Sequence, residues 1–162
     1  MIVVNSSPII NFAQQGRLDI LQKCFKKVII PVSVYDEIMQ KSESPESIAL
    51  NKAISEKWIL VKKTSVMGKL ETKNIGQGEK EAISLAYKHK TMLVIDDDSA
   101  KKYASIFGVK PHGSLFVSYL ACVKKLIDKK KAIRLLEGMI AEGFYISLEL
   151  HAKFITLLDS LI

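Results

Sequence analysis

Residues Gly76 to Ala100, GQGEKEAISLAYKHKTMLVIDDDSA, decide the fold. Glu79, Ala82, Ile83 and Ala86 fall at i, i+3, i+4 and i+7, so the first half is a helix whose inward apolar stripe has a glutamate at its start. Glu81 is rotated toward the opposite side. Thr91 to Ile95 is then an apolar run of the kind found in parallel strands covered on both faces. It empties into Asp96, Asp97 and Asp98, at the carboxyl end of the strand, where open α/β sheets place their ligands. Carboxylates gathered at one sheet edge repel one another and call for a cation. The stretch therefore predicts a metal site, completed by acids from elsewhere in the chain.

Those partners come from strand ends on either side. Ile2 to Val4 reads as a short buried strand, closed by Asn5-Ser6-Ser7-Pro8, whose residue types start helices. Val28 to Ile30 is a second strand, stopped by Pro31; Ser33 and Asp36 then form a capping-box-like helix start, with Glu37 beside the inward Val34 and Ile38. On position alone Glu37 reads first as a complement to the helix dipole. Trp58 to Val61 is a third strand, and the alternation of strands with helices argues for a parallel sheet. Lys62 to Asn74 reads as a polar surface loop whose Lys62, Lys63, Lys69 and Lys73 either contact phosphates or are merely solvated.

Downstream, Ser99 to Phe107 is a helix with Gly108 as its C-cap and Asp98 as the expected N-cap. Val109 is expected as a brief strand and 111–114 as a turn. Leu115 to Leu126 is the most apolar helix, and Asp128 to Glu142 and Ser147 to Leu158 form a C-terminal helical extension. Phe144 to Ile146 is expected between them as a short edge strand.

Composition narrows the class. The 162 residues, 48% hydrophobic and 25% charged, suit one domain, 1–162, with a real core. Lys and Arg number 24 against 17 Asp and Glu, a formal charge of +7 that favours an anionic partner such as nucleic acid. Cys24 and Cys122 stand alone in apolar stretches, which fits buried free thiols in a reducing compartment and gives no zinc spacing. No secretory leader or membrane span is recognisable, so a cytoplasmic protein without membrane contact is expected.

Collected by position, Asn5, Glu37, Glu79, Asp96 and Asp97 offer oxygen donors only, a set that suits Mg²⁺ or Mn²⁺ rather than Zn²⁺. One or two such cations would activate water and clamp a phosphodiester, so the predicted chemistry is metal-dependent hydrolysis. A phosphoacceptor receiver is a poorer reading, because no strand end offers a lone Asp followed later by the expected Lys.

VVNSSPII, IPVSVYDEI, GQGEKEAISLA and VIDDDSAKKYASIFGV followed by HGS resemble, in order and spacing, the PIN-domain-like proteins related to the toxin ribonucleases of toxin–antitoxin systems. The resemblance runs from Ile2 to about Leu126 and is closest to a DUF3368-like branch, whose first motif often reads Asn-Thr-Ser-Pro or Asp-Ser-Ser-Pro. It implies a three-layer α/β/α sandwich around a mostly parallel sheet of four or five strands. Its implied function is a metal-dependent endoribonuclease cutting single-stranded RNA, with a protein antitoxin and a homodimeric state. Glu37, Glu79 and Asp96 become the metal-site acids, with Asp97 beside them; Ser6, Ser7 and Ser114 match hydroxyl positions that bond an acid or a substrate phosphate, or cap a helix. The departure is Asn5, where active PIN nucleases carry aspartate. An amide oxygen still ligates a hard cation but brings no charge, so the alternative is a nucleic-acid-binding module that has lost catalysis.

Overall fold

The computed structural model describes residues 1–161, so Ile162, the last residue of the expected domain, lies outside it. Its elements run β1 (Ile2–Val4), α1 (Ser6–Gln14), α2 (Asp19–Phe25), β2 (Val28–Pro31), α3 (Val32–Met39), α4 (Pro45–Ser55), β3 (Ile59–Lys62), α5 (Gly68–Glu71), α6 (Gln77–His89), β4 (Leu93–Val94), α7 (Asp98–Ile106), β5 (Pro111–His112), α8 (Ser114–Val123), α9 (Lys129–Ala141) and α10 (Leu148–Asp159). The five strands pair in the order β3-β2-β1-β4-β5, and every pairing is parallel. From β1 the chain moves outward to β2 and β3, then returns to the other side of β1 for β4 and β5. The strand order thus reverses between β1 and β4, and the crevice at their carboxyl ends is the place such sheets offer a ligand.

Alternation along the strands divides the interior in two. Ile2, Val4, Val28, Ile30 and Val94 face one core, shared with Phe12, Leu21, Leu50 and Val117. Val3, Ile29, Leu93 and Ile95 face the other, against Leu70, Ile83, Ala86 and Ala100. Both faces of each inner strand are buried, which is why these segments read as continuous apolar runs. Buried Ala132, Leu136, Met139, Phe154 and Leu158 join the first core, so α9 and α10 complete the packing rather than hang from it.

Several local expectations need correction. The edge strand is Pro111–His112, within the segment expected as a turn, and Val109 is instead buried in the second core. The Leu93 N–H donates to the Lys110 carbonyl (3.0 Å) and that of Ile95 to the His112 carbonyl (2.7 Å), so a proline beginning an edge strand costs no ladder bond. Phe144 to Ile146 is an irregular connection, not a strand. The polar segment after β3 contains the single-turn α5, anchored by the fully buried Leu70. Ser33 does not cap α3, whose N-cap is Pro31; its N–H and hydroxyl both donate to Glu81, tying α3 to α6.

Candidate functional site

The carboxyl ends of β1 and β4 are joined where the Asn5 N–H donates to the Val94 carbonyl, 2.9 Å away. Asn5 is 4% exposed, and it is the N-cap residue of α1 without a side-chain capping bond. Its Oδ1 is buried with no hydrogen-bond donor among the described residues. An amide oxygen left so is costly, and its natural complement is a donor or a cation.

Across the crevice, Asp96 is heavily supported. Ser114 donates its N–H to Oδ1 and its hydroxyl to Oδ2, both at 2.7 Å, and Asn11 Nδ2 donates to Oδ2 at 3.1 Å. Burial pushes the Asp96 carboxyl above its usual range, against the opposing pull of these bonds and of Lys101 nearby. Ser114 is fully buried, so its hydroxyl positions Asp96 and does not face a substrate. Asn11 was not legible as a site residue; its only signal is an amide between Ile10 and Phe12 on a helix that is otherwise apolar there. Ser114→Ala is expected to remove one charge-assisted bond and lower stability by about 1.5–3 kcal/mol, read by urea unfolding of the metal-free protein. The backbone N–H at position 114 remains, so Asp96 should stay in place.

The other acids come from α3, α6 and the start of α7. Helix α6 approaches closely through Gly78: a β-carbon there would lie 3.6 Å from both Asn5 Oδ1 and Glu37 Oε2, so these oxygens face the same space. One residue on, Glu79 turns its carboxylate back onto the Gly76 N–H. A β-carbon on Gly76 would sit 2.6 Å from Glu79 Oε2, so a side chain at this N-cap would push the carboxylate aside. Burial raises the Glu79 carboxyl; the Gly76 bond opposes this, and the charges of Asp97 and Glu37 add to it. Asp97, not Asp98, caps α7, its Oδ1 accepting from the Ala100 N–H at 2.7 Å. Asp97 still has extended backbone (φ −67°, ψ 126°) while Asp98 is already helical, so the helix begins one residue earlier than the expected Ser99.

As the side chains stand, no three Asp, Glu, His or Cys residues among those described converge as a ready metal cage. Glu79 and Asp97 each bond a helix start, and Asp96 is held by Ser114 and Asn11. These bonds give the carboxylates separate partners where mutual approach would be repulsive.

From the acids a groove of about 880 Å³ runs along α8 to α10 and the α9–α10 connection. His112 lines it, stacked on Phe116 with ring centroids 3.9 Å apart. Burial, Lys110 and Lys101 all lower the His112 pKa, which favours a neutral imidazole. Exposed Ser7 lines the groove, whereas Ser6 is buried. Lys62 and Lys63 lie at the carboxyl end of the edge strand β3 and do not line it; Lys73 stands 5.8 Å over the Tyr103 ring.

The sequence matches the DUF3368 family, a PIN domain, over residues 1–160, and the chain belongs to that family. PIN domains are typically metal-dependent nucleases. The fold is similar to that of a PilT N-terminus domain protein from the hyperthermophilic archaeon Sulfolobus solfataricus P2, with a TM-score of 0.54 and 18% identity over 72% of this chain and 90% of that one. No curated protein matches in sequence. Among the described residues, no helix is long and apolar enough to cross a membrane.

Proposed function

We propose that the chain is a metal-dependent endoribonuclease acting on single-stranded RNA, and the toxin of a type II toxin–antitoxin pair. The observation that carries this reading is the buried Asn5 Oδ1 at the β1/β4 crevice, without a donor among the described residues, with Glu37 Oε2 facing the same space and with Glu79, Asp96 and Asp97 lining the groove that starts there. These are hard oxygen donors, and an orphaned amide oxygen among carboxylates fits a divalent cation. Asn5, Glu37, Glu79, Asp96 and Asp97 would hold Mg²⁺ or Mn²⁺, which when bound activates water and offsets charge on a phosphodiester.

The chain's own residues supply the rest. Ser114 and Asn11 fix the orientation of Asp96, while Gly78 lets the start of α6 approach Asn5 and Glu37. Glu79 and Asp97 each use one carboxylate oxygen at a helix start, and the second oxygen of each would be the one offered to a cation. Tyr145 and Leu148, 86% and 92% exposed near the groove, support a protein partner on this side, an antitoxin or a second copy of the chain. The test is incubation of purified protein with mixed single-stranded RNA in Mn²⁺, Mg²⁺ or EDTA. Cleavage dependent on the ion supports the reading; binding without cleavage in either ion rejects it.

A second reading, a nucleic-acid-binding module without catalysis, is favoured by the neutral Asn5 and by carboxylates that do not converge. It predicts RNA retention by the wild type and cleavage only after Asn5→Asp.

A further inference from the structure

Two ammonium groups face the groove, and neither belongs to the lysine-rich segment 62–74. Lys101 lies one helical turn after Asp97, its N–H donating to the Asp97 carbonyl at 2.9 Å, so both side chains share one face of α7. Long helical side chains lean toward the helix N-terminus, which carries Lys101 back over the acids. Its position is marked by Gly113, where a β-carbon would lie 2.9 Å from Asp96 Oδ1 and 3.0 Å from Lys101 Nζ. The missing side chain makes room for this half-buried ammonium beside the most supported acid of the site. Among the described residues Lys101 makes no close ion pair of its own. Exposed Lys153 lines the same groove from α10.

We propose that Lys101 and Lys153 are the phosphate contacts that set the path of the nucleic acid, which runs from the acids along α8 toward α10 and away from Lys62 and Lys63. The inference rests on the groove being a nucleic-acid site, as argued above. A carboxylate-rich crevice repels a polyanion, so the strand needs a cation of the protein at the point of entry. Lys101 supplies it next to Asp96. One step further, Lys153 holds the following phosphates while the His112–Phe116 stack offers bases an aromatic face.

The experiment measures binding of a fluorescein-labelled single-stranded RNA of mixed sequence, in EDTA so that no cleavage intervenes, across a salt series. Lys101→Ala and Lys153→Ala are compared with Lys62→Ala/Lys63→Ala, with Lys101→Arg as the charge-retaining control. Each groove variant is expected to weaken binding about tenfold at low salt and to reduce the slope of log K against log salt by about 0.7, the value for one phosphate contact on a single strand. Lys101→Arg should bind like the wild type, and the β3 double variant should differ little. The inference is overturned if the groove variants keep wild-type affinity and slope, or if only the β3 variant loses them. Wild type that binds no RNA in EDTA overturns this path alone, because the nuclease reading has the cation offset the charge of the acids; cleavage in Mn²⁺ decides that reading separately. RNA bound through Lys101 but never cut with Mn²⁺ removes the nuclease reading alone.

Discussion

Glu79→Gln is expected to cripple Mn²⁺-dependent RNA cleavage while leaving the protein folded. The amide oxygen of glutamine can still accept from the Gly76 N–H, so the start of α6 keeps its bond. What is lost is a negative charge between Glu37 and Asp97, where a divalent cation would gain most. The expected fall in kcat is on the order of 10²–10³-fold, the size seen when one preorganised electrostatic group is removed from an active site. Calorimetry should show weaker Mn²⁺ binding in parallel; unchanged metal affinity together with unchanged cleavage would remove Glu79 from the site. The same substitution tests the pH dependence of the metal-free protein. Burial raises the folded pKa of Glu79 above its usual 4.5, so the stability linked to its protonated form is fully present below 4.5 and is lost as pH rises through the folded value. In EDTA, Glu79→Gln should therefore be at least as stable as the wild type at neutral pH, with a shallower decline between acidic and neutral conditions.

Asn5→Asp is the second large effect, and it has opposite signs with and without metal. The new carboxylate would be buried, without a donor and close to Glu37 Oε2. Desolvation and like charge together raise such a carboxyl by roughly 3 pKa units, about 4 kcal/mol of lost stability at neutral pH. In EDTA the variant should melt well below the wild type. Mn²⁺ should more than reverse the difference, because a charged ligand replaces a neutral one and each tenfold gain in affinity is worth about 1.4 kcal/mol of stabilisation by linkage. Thermal denaturation in EDTA and in saturating Mn²⁺ reads both signs. A variant that melts like the wild type in both would mean that no cation approaches Asn5. RNA cleavage distinguishes the two functional readings: a rise from a measurable wild-type rate keeps the enzyme, and a rise from zero supports the binding module.

The elements that read most clearly in sequence are those with a strong period or an unbroken apolar run. The stripe through Glu79, Ala82, Ile83 and Ala86, and the apolar segments at 2–4, 28–30 and 91–95, correspond to α6, β1, β2 and β4. Gly108, expected as the C-cap of the helix after the aspartates, has positive φ (77°), the conformation a glycine adopts at low cost. Two of the misreadings concern bonds made over long sequence separations. Pro111–His112 becomes a strand only because β4 donates to it, and Ser33 leaves its expected cap because Glu81, 48 residues away, accepts from it. Asp97 displaces Asp98 as cap by a difference of one residue in where the backbone leaves the strand.

For the site, the one-dimensional chain determined the chemistry: which positions carry oxygen donors, that Asn5 and Asp96 follow strands, and that the first of the donors is an amide. Side-chain type and strand periodicity are local properties, so these survive without coordinates. Tertiary structure alone decided that Asn5 Oδ1 is buried without a partner, that Ser114 and Asn11 belong to Asp96, and that Lys101 rather than Lys62 or Lys63 stands at the acids. Each of these depends on which strands are neighbours. The order β3-β2-β1-β4-β5 places β3 at the far edge and β4 against β1, bringing residues 85 and 103 positions apart into hydrogen-bond contact.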